Sequence, residues 1–150
     1  MPITGYVATY SPGQVIVTLT GTLGSAIVGG FHDEIVTAKR EEPVFKKEVG
    51  ADGEVSRRQS ANKSGEVTIT TKQNSGSNAI LGEMLRQDEM LGQQIFALLI
   101  ADNVGHELWT GQAWIQGWPE IKRAKDEQPV VWTLDCAELE PHFAPTPSNI

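Results

Sequence analysis

A chain of 150 residues and 16.3 kDa is long enough for one domain with its own core, burying roughly 70% of its unfolded surface. Its 39% hydrophobic and 21% charged residues exclude a disordered chain, and its one cysteine excludes a disulfide framework or a Cys-rich zinc site. A net charge of −7 and a pI near 4.9 argue against a protein that grips a nucleic-acid backbone, which needs a basic face.

The first part of the chain is uncharged: residues 1–32 hold no Lys, Arg, Asp or Glu. In residues 14–19, Val15, Val17 and Leu19 alternate with Gln14, Ile16 and Thr18, the period-two pattern of a strand. Gly21, Gly24 and the Gly29-Gly30 pair punctuate the next ten residues. Residues 34–38 form a second, short β-branched run around Ile35, Val36 and Thr37. Two more strands, at 45–49 and 54–58, flank Gly50-Ala51-Asp52-Gly53. Its two glycines are able to take positive φ, so a hairpin is expected. Residues 62–65 read as a turn, and Val67 and Ile69 begin the next alternating strand. This middle stretch is locally basic, with eight Lys and Arg against six acids over residues 39–72.

One helix is clear. Ile80, Leu81, Met84, Leu85 and Leu91 fall at spacings of three, four and seven and make one apolar stripe, with Glu83, Arg86, Gln87 and Glu89 off it. Ser75 or Ser77 is the expected N-cap and Gly92 the stop. Gly82 inside costs about 1 kcal/mol relative to alanine, so the helix needs tertiary packing. Residues 95–101 are apolar on both faces and predict a central strand covered on both sides. They are also the longest apolar run, far short of the roughly 20 residues of a membrane span. Residues 102–105 read as a turn. Residues 107–118 are a Trp-rich strand in which Trp114 and Trp118 share a face by parity and Trp109 takes the other. Pro119 and residues 122–128 are a charged connection. In residues 130–136, Val130, Trp132, Leu134 and Cys136 line one side. The expected division is a domain over residues 1–140 and an extended, Pro-rich arm over residues 141–150. The whole reads as mainly β, with about eight mostly antiparallel strands and one flanking α-helix. The last 25 residues hold five acids and no base.

No catalytic constellation stands out. His32-Asp33-Glu34 are consecutive, so in a strand they point to alternate faces and cannot converge on one ion. Asp52-Gly53-Glu54 lacks the alternating acids of a calcium loop. Cys136 lies on an apolar strand face with nothing basic beside it, as an inert buried thiol does. His106 and His142 have no evident partner. No phosphate loop, nucleophile elbow or His-Glu-x-x-His motif is present. No catalytic, cofactor or metal residue is therefore assigned. The four tryptophans suit a core or a subunit interface better than a sugar platform. No Lys or Arg precedes Lys39, so no secretory leader is expected.

Three runs carry a family resemblance. They are Val49-Gly50-Ala51-Asp52-Gly53-Glu54-Val55-Ser56-Arg57-Arg58, then Asn62-Lys63-Ser64-Gly65-Glu66-Val67-Thr68-Ile69-Thr70, then Asn74-Ser75-Gly76-Ser77-Asn78-Ala79-Ile80-Leu81. In order and spacing, this set resembles the tail tube (inner tube) proteins of contractile-tailed bacteriophages. The shared layout extends over about residues 10–138. Family members often have proline where Gly76 stands, a departure that touches only the stiffness of the helix start.

The resemblance implies a β-sandwich or partial barrel with one flanking helix. It implies six copies closing into a ring, strands of each copy pairing around a lumenal barrel, and rings stacking into a tube. Such a tube is part of the virion tail, assembled in the host cytoplasm, sheathed outside and open to genomic DNA inside. Its partners are the tail sheath, baseplate and tail terminator proteins, with no membrane insertion. An acidic lumen would let DNA slide without binding. The polar hairpin and the loop after it are then expected to reach a neighbouring subunit or ring, through Lys46, Lys47, Asp52, Glu54, Arg57, Arg58 and Lys63. Two other readings compete. One is the tube of a related contractile injection or secretion machine. The other, of a different class, is a carbohydrate-binding β-sandwich module.

Overall fold

The computed structural model describes residues 15–21, 24–102 and 107–143, without the side chains of residues 24–26 and 32–34. Nine strands and one helix run in chain order among them: β1 (Val15–Gly21), β2 (Gly24–Val28), β3 (Phe31–Arg40), β4 (Phe45–Val49), β5 (Val55–Gln59), β6 (Gly65–Thr71), α1 (Ser77–Leu91), β7 (Phe96–Asp102), β8 (Glu107–Ile115) and β9 (Val130–Phe143). Seven strands form one antiparallel sheet in the order β2-β1-β7-β8-β9-β6-β3, and β4 and β5 pair apart from it as a hairpin.

One connection dictates the shape of that sheet. The strands β2 and β3 stand at its opposite ends, yet only Gly29 and Gly30 join them. Two residues span three Cα steps, about 11 Å at most. Seven strands laid flat at about 4.8 Å spacing would put those ends nearly 30 Å apart. The sheet must therefore curl until its ends meet at this corner, which makes it a partial barrel. The corner has a specific backbone: Gly30 has φ +66°, and a Cβ there would collide with the Ser75 hydroxyl.

The core fills the inside of the curl. Val17, Leu19, Val67, Ile69, Leu98, Leu134 and Leu139 lie in it together, and α1 closes over it with Leu81, Met84 and Leu85. The alternation expected for the first and last strands is present: Val17 and Leu19 on β1, and Val130, Trp132, Leu134 and Cys136 on β9, all face inward. A bulge shifts the β8–β9 register between Gln112 and Ala113. There Gly111 passes so close to the Glu138 carbonyl that no Cβ would fit.

Several expectations change. β3 runs ten residues, longer than the 34–38 run, because pairing with β6 extends it at both ends. β7 is internal, between β1 and β8, but it is not covered on both faces: Phe96, Leu98 and Ile100 are buried while Leu99 is 37% exposed. On α1 the buried stripe is Leu81, Met84 and Leu85, whereas Ile80 and Leu91 are exposed on a neighbouring row. The residue at its N-cap is Gly76, without a side-chain cap. Ser75 Oγ accepts the Ser77 N–H, and the Ser77 hydroxyl is used elsewhere. Gly92 does end the helix, left-handed at φ +67°. β8 stops at Ile115, so Trp118 stands in the connection beyond it and shares no strand face with Trp114. β9 continues to Phe143, into the residues read as arm. Pro141 is tolerated there because β6 pairs with β9 only as far as Cys136, leaving an edge beyond. The turn at 103–105 and His106 fall outside the described residues, as does the chain before Val15.

Candidate functional site

The β4–β5 hairpin projects from the body with every residue of both strands exposed. Its turn is built locally. Gly50 N–H donates to the Glu54 carbonyl at 2.8 Å, Gly53 N–H to the Gly50 carbonyl at 2.9 Å, and Asp52 Oδ1 accepts the Glu54 N–H at 3.1 Å. Asp52 and Glu54 thus shape the turn. A lone two-stranded hairpin is marginal in water. This one also carries a cost, because its register sets Lys46 opposite Arg58 and Lys47 opposite Arg57. Like charges directly across a strand pair are destabilising. Part of that charge is answered inside the chain: Lys46 meets Glu42 at 3.8 Å and Arg58 meets Glu48 at 3.3 Å. Arg57 lies over the Phe45 ring at 4.2 Å, and Lys47 has no ion pair among the described residues. Val49 and Val55 face each other near the tip, both exposed.

The root of the hairpin is anchored. Ser60 N–H donates to the Val44 carbonyl at 2.8 Å, and the Ser60 hydroxyl to Glu42 Oε2 at 2.8 Å. That hydroxyl and the Lys46 charge hold the Glu42 carboxyl below its ordinary range. Glu140 bridges two bases, Lys63 at 3.0 Å and Arg40 at 3.2 Å, while Arg40 Nε donates to the Leu139 carbonyl at 2.8 Å. Lys63 is therefore a root residue held to β9, separate from the cluster that the structure brings together on the hairpin.

Among the described residues the sheet has two open edges, the free sides of β2 and of β3. Where the curl stays open, a cleft of about 440 Å³ lies between Val15, Ile100 and Trp109 on one side and Ile35, Val36 and Ala38 of β3 on the other. Trp109 donates its indole N–H to Glu107 at 2.7 Å and meets the Phe143 ring edge-on at 6.4 Å. The charge pattern across the sheet is one-sided. The six adjacent strands β2, β1, β7, β8, β9 and β6 contain no Lys or Arg, but they hold Asp102, Glu107, Asp135, Glu138, Glu140 and Glu66. Cys136 is buried, and burial first, with the Asp135 charge second, pushes its thiol up to about 11. Among the described residues no three His, Cys, Asp or Glu groups come together as metal ligands do.

The described residues thus combine two open sheet edges, an exposed two-stranded arm and six adjacent strands without Lys or Arg. A family model described as the bacteriophage PhiTE tail tube protein matches residues 7–143. The chain belongs to this phage tail tube family. A curated relative, structural protein ORF10 of Pseudomonas phage KPP10, is 30% identical over 122 residues, covering 77% of this chain and 70% of that protein. Among the solved structures that this chain is similar to, two share its fold. The tube-terminating cap of the anti-feeding prophage aligns at TM-score 0.63 with 12% identity, over 95% of this chain and 96% of its own. A chain of the sheath–tube complex of an extracellular contractile injection system, PVC, in its extended state aligns at 0.58 with 10% identity, over 91% and 93%. The resemblance read from residues 49–81 is thus met by the family, and the chain is a tail tube structural protein of a phage or contractile injection system.

Sequence reasoning placed this tail tube hairpin but missed its opposed bases. Counting cross-strand partners outward from the Gly50–Gly53 turn would have found them. The open edges carried no local signal, because which strands end up outermost depends on the whole pairing order.

Proposed function

We propose that the chain is the self-assembling subunit of a phage inner tail tube: six copies close into a ring, and rings stack into a tube through which DNA passes. The observation that carries this reading is the pair of sheet edges left open among the described residues of a tail tube protein. An open edge is a template for another strand, and joining the free side of β2 to that of β3 on the next copy removes both. Such a head-to-tail contact is heterologous, the kind that generates rings. The exposed hairpin then supplies the contact between subunits or rings. Lys46, Lys47, Arg57 and Arg58 meet acids of a neighbour there, and this relieves their mutual repulsion. The six strands suit a lumen, because their own side chains add acids and no Lys or Arg for phosphate to hold. The sheath, baseplate and tail terminator are the partners of such a tube, its place is the virion tail after assembly in the host cytoplasm, and its role is structural with no catalysis.

Negative-stain electron microscopy with light scattering on concentrated protein tests the proposal. Rings or hollow tubes of uniform width are expected. A particle that stays monomeric, alone and when mixed with baseplates, would overturn it. The same geometry serves the tube of a contractile injection machine, and the presence of DNA in purified particles separates the two.

A further inference from the structure

We propose that the proline-bearing segment after β9 of one copy docks in a tryptophan-lined recess of a second copy. This rests on the stacking of rings proposed above. The recess, about 410 Å³, lies where α1, the start of β9 and the connection over residues 116–129 meet, and Trp118, Ile121, Val130 and Trp132 supply its apolar walls. Both indoles are fixed by their N–H groups: Trp132 donates to Asn78 Oδ1 at 3.0 Å and Trp118 to Glu89 Oε2 at 3.2 Å. Gly82 separates them. A Cβ at that position would stand 3.9 Å from the Trp118 ring and 4.0 Å from the Trp132 ring. A mid-helix glycine weakens a helix, and here it leaves the gap between two indoles unfilled. Trp118 is 54% exposed and Ile121 76% exposed, so the recess opens to the outside on their side, with the buried Trp132 and Val130 as its floor.

Aromatic-lined grooves take proline segments, because the rings stack and the extended chain has little entropy left to lose. This chain has such a segment in Pro145 and Pro147, immediately after Phe143. Its place excludes its own recess. Pro147 can stand no more than about 15 Å from Phe143. The recess begins at Trp132 and Val130, at the opposite end of β9, about 35 Å or more along the strand. The segment therefore leaves from one pole of the molecule and the recess opens at the other. Rings stacked in one orientation, with β9 running along the stacking axis, bring those two poles together.

The test uses the full chain carrying Pro145→Ala and Pro147→Ala, titrated with a synthetic peptide of residues 141–150 and followed by tryptophan fluorescence. A saturable shift is expected. It should weaken at least tenfold when Trp118→Ala is added. It should weaken severalfold with Gly82→Ala, which at the same time raises the melting temperature. No saturable shift, or one indifferent to Trp118, overturns the proposal. The source copy is read with Thr146→Cys and Ile121→Cys in one full-length chain under oxidation. A ladder of cross-linked copies supports the proposal, and a bond confined to single chains overturns it. Stacks seen by microscopy without a ladder overturn the docking and leave stacking intact. If stacks are absent, stacking itself fails, and the peptide titration still decides the recess.

Discussion

Gly29 and Ser77, 48 residues apart, are joined by a 2.8 Å hydrogen bond from the Gly29 N–H to the Ser77 hydroxyl. The Ser75 hydroxyl donates to the Gly29 carbonyl at 2.8 Å, and Lys72 N–H to the Gly30 carbonyl at 2.8 Å. The corner where the two sheet ends meet is thereby latched to the start of α1. Ser77→Ala should cost about 1–2 kcal/mol, the penalty for a polar group left unpaired, read in urea melts. Gly30→Ala should cost more, since both its positive φ and the Ser75 contact oppose a side chain. Equal stability of both variants and the parent would mean that the corner is not what holds the curl.

The hairpin's opposed bases make a charge-reversal test. Arg57→Glu with Arg58→Glu should leave the melting temperature nearly unchanged, as exposed substitutions shift stability by no more than about 0.5 kcal/mol. Tube yield and length, counted in micrographs, should fall sharply. Raising salt to 1 M, where the Debye length is about 3 Å, should shorten wild-type tubes in the same direction. Tubes of normal length and yield from the double variant would remove the hairpin from the contact.

Acid should loosen the hairpin root. The Glu140 carboxyl is held below its ordinary value of 4.5, first by its hydrogen bond with Lys63. A carboxyl lowered in the folded state adds stability above its unfolded value, and that contribution is lost as pH falls through the folded one. Stability should therefore decline below about pH 4.5 more steeply in the wild type than in Glu140→Gln. Parallel pH profiles of the melting temperature would sink this assignment.

Cys136 should be chemically silent. With its thiol pushed up to about 11, almost no thiolate exists at pH 8. A thiol reagent should react fully only in denaturant, and fast labelling of native protein would show that β9 opens at that point.

The lumen reading predicts an effect of one cation on the outer sheet face. Leu99 is partly exposed there, between Thr18 of β1 and Thr110 of β8. Leu99→Lys should still assemble, with DNA delivery reduced, measured as ejection from particles of normal length. Unimpaired delivery would place the lumen elsewhere.

The sequence by itself determined the local pieces. Val17 and Leu19 announce a strand by period two, Gly53 announces the turn where φ reaches +87°, and Gly92 announces a helix end. The run from Val49 to Leu81 was distinctive enough to point to the family. Each of these signals is a property of a few adjacent residues. The tertiary structure decided what depends on distant partners. It left the outer face of β7 open, since no other described element of the chain covers it, and it exposed Ile80 and Leu91 by choosing which helix row met the core. It set Lys46 against Arg58, moved Lys63 into a bridge with Glu140, and put β2 and β3 at the two ends of one sheet although two residues join them. Strand order, register and the covered face come from minimising exposed apolar area and unpaired backbone over the whole chain at once, and no short window contains that sum.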